Sequence, residues 1–363
     1  MPILAGSAVP ADDQTRHTGA GRFSRLRMRP MSLLESNAST GAISVAALLG
    51  GERAQSPDPG LTVKDLTELI VRGGWPGFQR LSTTQAQQRV RNYLEEIRRT
   101  DINQVDGVRR DPEKVGQLLR SLARNVATQV AAATLAADTE GADGPLKKHT
   151  AGDYLAALER LFIVEDQPAW APHLRSRYVL RRAAKRHFVD PSLAVAALQT
   201  GPPALLRDLN LLGLLFESLV VRDLRIYSQA AGARVLQYHD SDDLEVDAIV
   251  EANDGRWAAF EIKLGGERLI DEGAENLTTF AKRIDTSKCG EPAALAVVVA
   301  TGYGYVREDG IQIIPIGALG PSSLPPCSVR KTVVTKLEAQ LSTDAAEIDW
   351  CPFGSNDGVH LEA

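Results

Sequence analysis

Apolar residues recur at helical spacing along much of the first half of the chain, from residue 61 to about residue 191. One stripe comprises Val90, Leu94 and Ile97. A second stripe comprises Val115, Leu118, Leu119, Leu122 and Val126. Because residues three and four apart share one face of an α-helix, both stripes predict helices that bury an apolar side. The middle of the chain is therefore predicted to be mainly helical.

The end of this helical region carries signals of its own. Thr150 followed by Asp153 is typical of a capping box and predicts that a helix begins there. Residues 162–164 and 178–180 are rich in β-formers and predict a hairpin. Helices followed by a small hairpin have the order of a winged helix, so we predict a winged-helix-like region.

After residue 201 the pattern changes to that of an α/β domain. Helices are predicted over residues 209–224 and 267–284. Strands are predicted at residues 233–238, 245–250, 257–264, 294–300 and 311–316. The order αβββαββ predicts an α/β domain around a mixed sheet, and the expected fold class is multi-domain α + α/β.

Turn signals divide the chain further. Residues 2–8 look like the end of a strand, so we expect the chain to begin inside a larger domain. Residues 50–60 predict a linker, and the motif Gly73-Gly74-Trp75-Pro76-Gly77 predicts a rigid turn that packs its aromatic ring against a helix. The predicted domains are 1–55, the helical region 56–200, the α/β domain 201–320, and a partly disordered tail 321–363.

Length and composition are those of a protein that folds around its own apolar cores. The chain has 363 residues, of which 44% are hydrophobic, and its three cysteines form no CxxC pair. Neither a disulfide framework nor a zinc knuckle is indicated. No apolar run approaches the ~18–20 residues that span a bilayer, and no signal-peptide pattern is present. We therefore expect a cytoplasmic protein without a membrane partner.

Charge is unevenly distributed along the chain. The net charge of −5 argues against a uniformly basic protein that coats DNA. Basic residues are nevertheless concentrated in residues 16–29 and 173–186. The second segment supplies candidate nucleic-acid contacts at Arg175, Arg177, Arg181, Arg182, Lys185 and Arg186. The alternative is a solvated surface that pairs with acidic neighbours.

Four residues of the second half have the types and spacing of a PD-(D/E)XK nuclease site. Glu261 and Lys263 are two positions apart on a predicted strand and therefore project from the same face. Asp247 lies on the preceding predicted strand. Glu217 lies among apolar residues of the helix predicted at 209–224, where a buried carboxylate needs a metal, a cationic partner or a proton.

These groups together have the chemistry that phosphodiester hydrolysis needs. Asp247 and Glu261 would hold Mg²⁺, and Glu217 would assist directly or through water. Lys263 would orient the attacking water or stabilise the developing charge. The alternative is a buried polar network on an inactive nuclease-like scaffold, because a fold does not establish a function.

Other enzyme classes lack their residues in this sequence. It contains no HExxH pairing, no GxSxG elbow and no GxxxxGK[ST] loop. Zinc-protease, serine-hydrolase and P-loop ATPase mechanisms are therefore not indicated for this chain.

The motifs, taken in order, resemble a large prokaryotic family of AAA-type ATPases whose C-terminal domain of unknown function is nuclease-like. The resemblance runs from about residue 3 to residue 319. The matching segments are Ile3-Leu4-Ala5-Gly6-Ser7, Gly21-Arg22, Arg29-Pro30-Met31-Ser32-Leu33 with Glu35, Gly73-Gly74-Trp75-Pro76, Phe188-Val189-Asp190, Gly213-Leu214-Leu215-Phe216-Glu217, Glu245-Val246-Asp247 and Glu261-Ile262-Lys263.

This resemblance implies that residues 1–55 are the last part of an AAA-type ATPase core, whose P-loop this sequence lacks. Ser7 would match a sensor-like strand end and Arg22 an arginine of the family, and both would meet ATP only in an intact relative. Residues 201–320 would be restriction-endonuclease-like, with the four site residues at matching positions.

The sequence therefore predicts a portion of an AAA-family protein with a nuclease-like domain and Mg²⁺-dependent binding or cleavage of nucleic acid. Two alternatives stay open. One is a non-catalytic regulatory module that binds DNA or a protein partner, and the other is a nonfunctional truncated product.

Overall fold

The computed structural model of the protein describes residues 26–139, 144–172 and 184–321. Three of the features expected from the sequence lie outside these residues: the strand end at 2–8, the hairpin strand at 178–180 and the tail after residue 321. All described residues belong to one compact unit, and the domain boundaries given above stay predictions.

Helices form most of the regular structure in the described residues before the sheet. They are α1 (Val45–Leu49), α2 (Val63–Arg72), α3 (Thr83–Glu96), α4 (Ile102–Gln104), α5 (Pro112–Arg124), α6 (Ala132–Ala137), α7 (Lys148–Arg160), α8 (Pro191–Ala197), α9 (Pro202–Leu205) and α10 (Leu209–Ala230). Two more, α11 (Glu267–Arg283) and α12 (Thr286–Cys289), follow in the second half. The prediction of a mainly helical region followed by an α/β region is confirmed.

Capping boxes start two of these helices, but not the one expected. Thr62 and Ser82 are the N-caps of α2 and α3, and each exchanges hydrogen bonds with the residue three positions on. The helix predicted to begin at Thr150 instead begins two residues earlier, after Lys147, which makes no side-chain capping bond. The predicted capping box was wrong: Thr150 lies inside the first turn of α7, and Asp153 pairs with the His149 ring at 3.1 Å.

The strands are β1 (Ile43–Ser44), β2 (Val164–Gln167), β3 (Lys185–Phe188), β4 (Ala233–His239), β5 (Glu245–Ala252), β6 (Trp257–Lys263), β7 (Ala294–Val299), β8 (Tyr305–Val306), β9 (Gln312–Pro315) and β10 (Leu319–Gly320). A six-stranded sheet has the order β4-β5-β6-β7-β9-β8. Its pairs are antiparallel except for β6 with β7 and β7 with β9, so the predicted mixed sheet is confirmed.

Two helices cover the two faces of this sheet. Phe260 and Ile262 of β6 belong to the core that contains α10, whereas Trp257 and Ala259 of the same strand belong to the core that contains α11. Successive side chains of a strand point to opposite faces, so this alternation places α10 and α11 on opposite sides of the sheet. Side chains at the ends of β5 and β6 can consequently meet groups from both layers.

The predicted hairpin is present with different strands. It is formed by β2 and β3, which pair antiparallel from Val164 with Phe188 to Gln167 with Lys185. The residues that follow β2 form backbone hydrogen bonds with the edge strand β4. Trp170 N donates to Gln237 O at 2.6 Å, and Gln237 N donates to Pro168 O at 2.9 Å. The hairpin is thus joined to the sheet at the edge next to β5.

The Gly73–Gly74 turn contacts a buried ion-pair network on α10. Gly74 N donates to Asp190 Oδ2 at 2.9 Å, and Arg222 Nη1 donates to the same oxygen at 2.8 Å. Arg222 also pairs with Asp223, whose second oxygen accepts a hydrogen bond from Leu33 N at 2.9 Å. One arginine therefore connects the N-terminal segment, the turn and the start of α8 to α10.

The Trp75 ring packs as the turn motif predicted. It lies 5.5 Å from the Tyr93 ring of α3, centroid to centroid, and its indole Nε1 donates to Ser192 Oγ at 2.9 Å. The indole N–H of this partly buried side chain has an acceptor, and its ring has an aromatic neighbour, so both its polar and its apolar parts make contacts. The expected turn is confirmed.

None of the helices in the described ranges combines the length and the apolar character that crossing a lipid bilayer requires.

We expect Gly74→Ala to lower the free energy of unfolding by about 3 kcal/mol, the upper part of the range for overpacked sites. A Cβ at residue 74 would lie 2.2 Å from Met31 O, a backbone atom that cannot move without breaking the network around Arg222. Gly77→Ala, in the same turn with nothing within 4 Å of its added Cβ, is the matched control. Urea unfolding of both variants checks the expectation, and equal effects would contradict it.

Candidate functional site: an acidic cluster closed by a buried lysine

The candidate site lies where β5 and β6 separate. The last paired position of the two strands in this direction is Ala248 with Phe260. Asp247 is the next residue of β5, and its Oδ2 accepts a hydrogen bond from Ile262 N at 2.9 Å. A side chain thus takes the place of a strand-to-strand backbone bond, which fixes the Asp247 carboxylate beside the end of β6.

Glu261 and Lys263 lie together on β6, as their spacing predicted. Lys263 Nζ is 2.7 Å from Glu261 Oε2 and 3.7 Å from Asp247 Oδ2. Asn276 of α11 donates from Nδ2 to Glu261 Oε1 at 2.9 Å. The helix passes close to the sheet here, since a Cβ at Gly273 would lie 3.3 Å from Val297 Cγ2 and 3.4 Å from Glu261 Cβ.

Glu217 reaches the same cluster from α10, on the other face of the sheet. Its Oε1 accepts a hydrogen bond at 2.7 Å from Lys185 Nζ of the β2–β3 hairpin. The same ammonium lies 3.2 Å from Asp247 Oδ1 and 2.7 Å from Glu245 Oε1. One cation therefore contacts three carboxylates from two elements. The four residues predicted from the sequence come together, with Lys185 as an additional member.

Lys185 differs from the role that the sequence suggested. It was expected in a basic surface that meets nucleic acid, but its side chain is only 2% exposed and pairs with acidic groups inside the protein. Lys185 and His187 are buried on β3 while Arg186 between them is only partly covered. Because side chains alternate between the two faces of a strand, Lys185 and His187 share one face and Arg186 lies on the other. This alternation was the sequence signal that could have distinguished the buried lysine from its basic neighbours.

Gln167 and His187 hold the hairpin that carries Lys185. Gln167 Nε2 donates to the backbone oxygens of Asp247 and Leu236, each at 2.9 Å, and its Oε1 lies 2.9 Å from His187 Nε2. His187 Nδ1 lies 3.1 Å from Ser218 Oγ on α10. Burial, together with the nearby Arg225 and Lys185 charges, lowers the pKa of His187 well below its usual range, so this imidazole is neutral.

Burial and mutual charge divide the acidic groups into two kinds. Burial and the Asp247 charge raise the pKa of Glu217 to about 8 and that of Glu261 to about 7. Burial also opposes ionisation of Asp247, but the Lys185 and Lys263 ammonium groups lower its pKa. Asp247 is thus the carboxylate that both lysines hold in its charged form, while Glu217 retains its proton at neutral pH.

Lys185 remains charged within this cluster. Burial disfavours its ammonium form, but Glu217 and Asp247 raise the pKa of Lys185 well above its usual range. Burial likewise acts against the charge of Lys263, and Asp247 and Glu261 outweigh it. Both lysines therefore neutralise acidic charge in the interior.

The residues as arranged do not fit a divalent cation between Glu217 and Asp247. Such an ion needs ionised carboxylates with free oxygens, and here the Lys185 ammonium lies within hydrogen-bonding distance of both. Across the described ranges, no group of three or more His, Cys, Asp and Glu side chains is arranged to hold a metal ion. Magnesium binding by Asp247 and Glu261 stays a prediction, and in this structure Lys185 contacts Asp247 and Lys263 contacts Glu261.

The other residues singled out in the sequence lie elsewhere or outside the described residues. The latter group comprises Ser7, Arg22, Arg175, Arg177, Arg181 and Arg182. Arg186 is described and is already engaged, because Nη1 donates to both oxygens of Asp166 at 3.0 and 2.9 Å and Nε donates to Val130 O at 3.2 Å. The prediction that Arg186 is free to contact phosphate was therefore wrong.

Two parts of the chain match models of known protein families. Residues 63–204 match a family model described as a domain of unknown function, DUF8612. Residues 212–319, which contain Glu217, Asp247, Glu261 and Lys263, match a second domain of unknown function, DUF4143. Neither the curated proteins nor the solved structures gave a match to this chain.

We expect Lys185→Met to lower the free energy of unfolding at pH 7 by about 3–5 kcal/mol, because it leaves the buried Asp247 carboxylate without one of its two cations. The loss should shrink below pH ~5, where the Asp247 carboxylate, no longer held in its charged form by Lys185, takes up a proton. Lys288→Met removes an exposed lysine that pairs with Asp285 and should change stability by less than about 1 kcal/mol. Urea unfolding at both pH values measures the difference, and equal losses in the two variants would contradict this role of Lys185.

The raised pKa of Glu217 predicts that stability falls as pH increases. Its folded-state value of about 8 lies above its ordinary value of 4.5, so the protonated group stabilises the fold fully below 4.5, and this contribution is lost as pH rises through 8. The slope for one proton is at most about 1.4 kcal/mol per pH unit. Unfolding measured from pH 6 to pH 9 should show a smaller fall for Glu217→Gln than for the wild type. Glu308→Gln, at an exposed position, should keep the wild-type slope.

Proposed function

We propose that this chain is a non-catalytic module, built on a PD-(D/E)XK-like α/β domain, that binds a partner in the service of an AAA-type ATPase. The observation that carries the proposal is the position of Lys185, whose ammonium lies 2.7 Å from Glu217 and 3.2 Å from Asp247. An internal cation takes the place that a catalytic metal would need. The acidic cluster then holds the hairpin and α10 on the sheet rather than activating water.

The mixed sheet supports the choice of a PD-(D/E)XK-like scaffold. Its antiparallel β4-β5-β6 half and parallel β6-β7-β9 half bring Asp247 and the Glu261-Ile262-Lys263 segment to neighbouring strand ends, with Glu217 supplied by a covering helix. We propose a restriction-endonuclease-like domain for residues 201–320 on this ground, with the site retained for its charge pairs.

The relation to ATPases rests on the motif order and on the family match. DUF4143 domains are commonly found with AAA ATPases. We propose that the helical region and the β2–β3 hairpin form a winged-helix-like linker in such a protein, and that the partner is a nucleic acid or a protein in the cytoplasm. Asp190 and Arg222, which join this linker region to α10, would transmit a change in one part to the other.

A metal-dependent nuclease is the second candidate function. It is favoured by the convergence of Glu217, Asp247, Glu261 and Lys263 at one place in the fold. In that case Lys185 would have to withdraw before Mg²⁺ could bind, and Lys263 would remain to orient water.

The two candidates differ in what the full chain does with Mg²⁺ or Mn²⁺. For the wild type we expect no cleavage of single- or double-stranded DNA or of RNA, and no heat of metal binding by isothermal titration calorimetry. For Lys185→Met, which frees Glu217 and Asp247, we expect Mn²⁺ to bind and to raise the melting temperature. Lys288→Met is the control and should behave as the wild type does.

Two results would contradict the non-catalytic proposal. One is metal-dependent cleavage by the wild type that Asp247→Asn abolishes, which would establish the nuclease. The other is tight Mn²⁺ binding by the wild type that Asp247→Asn removes, since Lys185 would then not occupy the metal's place. Circular dichroism of each variant confirms that it is folded before it is compared.

A further inference from the structure

A second charged cluster lies at the start of β2, where three arginines converge on one carboxylate. Arg29 donates to Glu165 from both terminal nitrogens, at 2.5 Å to Oε2 and 2.9 Å to Oε1. Arg27 Nη1 lies 3.0 Å from Oε1, and Arg225 Nη1 lies 3.4 Å from Oε2. These guanidinium groups come from the N-terminal segment and from α10, so the cluster is assembled by the fold.

Among the described residues, this cluster has more positive charge than its acidic neighbours compensate. Adjacent to it, Arg186 is paired with Asp166 and lies 4.0 Å from Glu159. Four guanidinium groups, those of Arg27, Arg29, Arg186 and Arg225, thus face the three carboxylates of Glu159, Glu165 and Asp166. A residual positive charge in a partly buried place attracts an anion, because the surrounding dielectric is lower than that of water.

Arg27 provides the free hydrogen-bonding group of this cluster. In the described part of the chain its Nη2 is buried and has no hydrogen-bond acceptor. The guanidinium lies over the Phe162 ring, 4.7 Å from the centroid, which holds its plane in position. The side chain as a whole is 29% exposed, so a rotation of the guanidinium would bring Nη2 to a ligand at the surface. A buried donor without an acceptor is costly, and a ligand oxygen would satisfy it.

The electrostatics agree with this geometry. Burial lowers the pKa of Arg225 to about 10, and repulsion from Arg29 and Arg27 contributes to the shift although Glu165 opposes it. Burial acts against the charge of Glu165, but the surrounding arginines lower its pKa to about 2. Glu165 is therefore ionised and still leaves the arginines repelling one another.

We propose that Arg27, Arg29 and Arg225 form a binding site for a phosphate group beside Glu165. Guanidinium groups match phosphate oxygens in charge and geometry, and a phosphate would share these arginines with Glu165, whose single charge does not compensate all three. The site is separate from the acidic cluster and does not depend on whether that cluster binds metal. Arg225 is on the same helix as Glu217, so a bound phosphate would also strengthen the attachment of the N-terminal segment to α10.

Inorganic phosphate is the probe for this site, with sodium chloride at equal ionic strength as the reference. We expect phosphate to raise the melting temperature of the full chain above the chloride value and to give a saturable calorimetric titration. Arg27→Gln should weaken phosphate binding by roughly tenfold, the effect of losing one charged hydrogen bond. Arg256→Gln, an exposed arginine paired with Asp254, is the control and should bind as the wild type does.

Glu165→Gln separates a phosphate site from a set of structural ion pairs. If the arginines exist to bind phosphate, removing the competing carboxylate leaves them with more positive charge and should tighten phosphate binding. If they only lock the N-terminal segment in place, Glu165→Gln should lower stability with no gain in the phosphate effect. That second result, an unchanged phosphate affinity in Arg27→Gln, or equal effects of phosphate and chloride would overturn the proposal.

Two further ligands identify the source of the phosphate group once inorganic phosphate has been shown to bind. Tighter binding of ATP than of phosphate, lost in Arg27→Gln, assigns a nucleotide. Preference for a 5′-phosphorylated over an unphosphorylated single-stranded DNA dodecamer, lost in the same variant, assigns a nucleic-acid end. Binding of inorganic phosphate alone assigns the free anion.

Discussion

The burial of ionisable side chains along α10 is the constraint on which the arrangement of the other elements depends. Glu217, Arg222, Asp223 and Arg225 are all buried on this one helix. A charged group inside a protein is tolerated only when a partner of opposite charge or a set of hydrogen bonds meets it. Each of these residues also has a partner outside the helix, and these partners come from different parts of the sequence: Lys185, Asp190, Leu33 and Glu165. The helix therefore determines where those parts must lie.

The networks around Arg222 and Lys185 also differ in the number and the protonation of the carboxylates that surround the cation. Arg222 is held between Asp190 and Asp223, and the Gly74 and Leu33 N–H groups also donate to these carboxylates, so backbone hydrogen bonds support the negative charge that one arginine leaves. Lys185 is shared among three carboxylates, one of which retains a proton at neutral pH. Of the two networks, the second is the one that a change of pH would alter.

Periodicity predicted the helices and sheet well because both follow from local spacing. The strand bearing Glu261 and Lys263 and the helix bearing Glu217 were placed correctly, and the meeting of the two with Asp247 followed from strand adjacency. Lys185 could not be assigned in the same way. Its partners are 32 and 62 residues away, and nothing local distinguishes a lysine in a basic segment from one that a hairpin inserts among acids. The turn at Gly74 was predicted from its glycines, but its contact with Arg222 needed the fold.

The short pairing of β1 with β10 brings together two distant parts of the described chain. Ile43 lies opposite Leu319, and Ser44 lies opposite Gly320. The family matches begin at residue 63 and end at residue 319, so a fragment cut at those limits would keep only Leu319 of β10 and would lose β1, α1 and the Leu33 N–H group that donates to Asp223. Sequence families and folding units have different limits here. Residues 26–62 lie before the first family match and nevertheless contribute buried side chains to the interior, among them Val45 and Leu48.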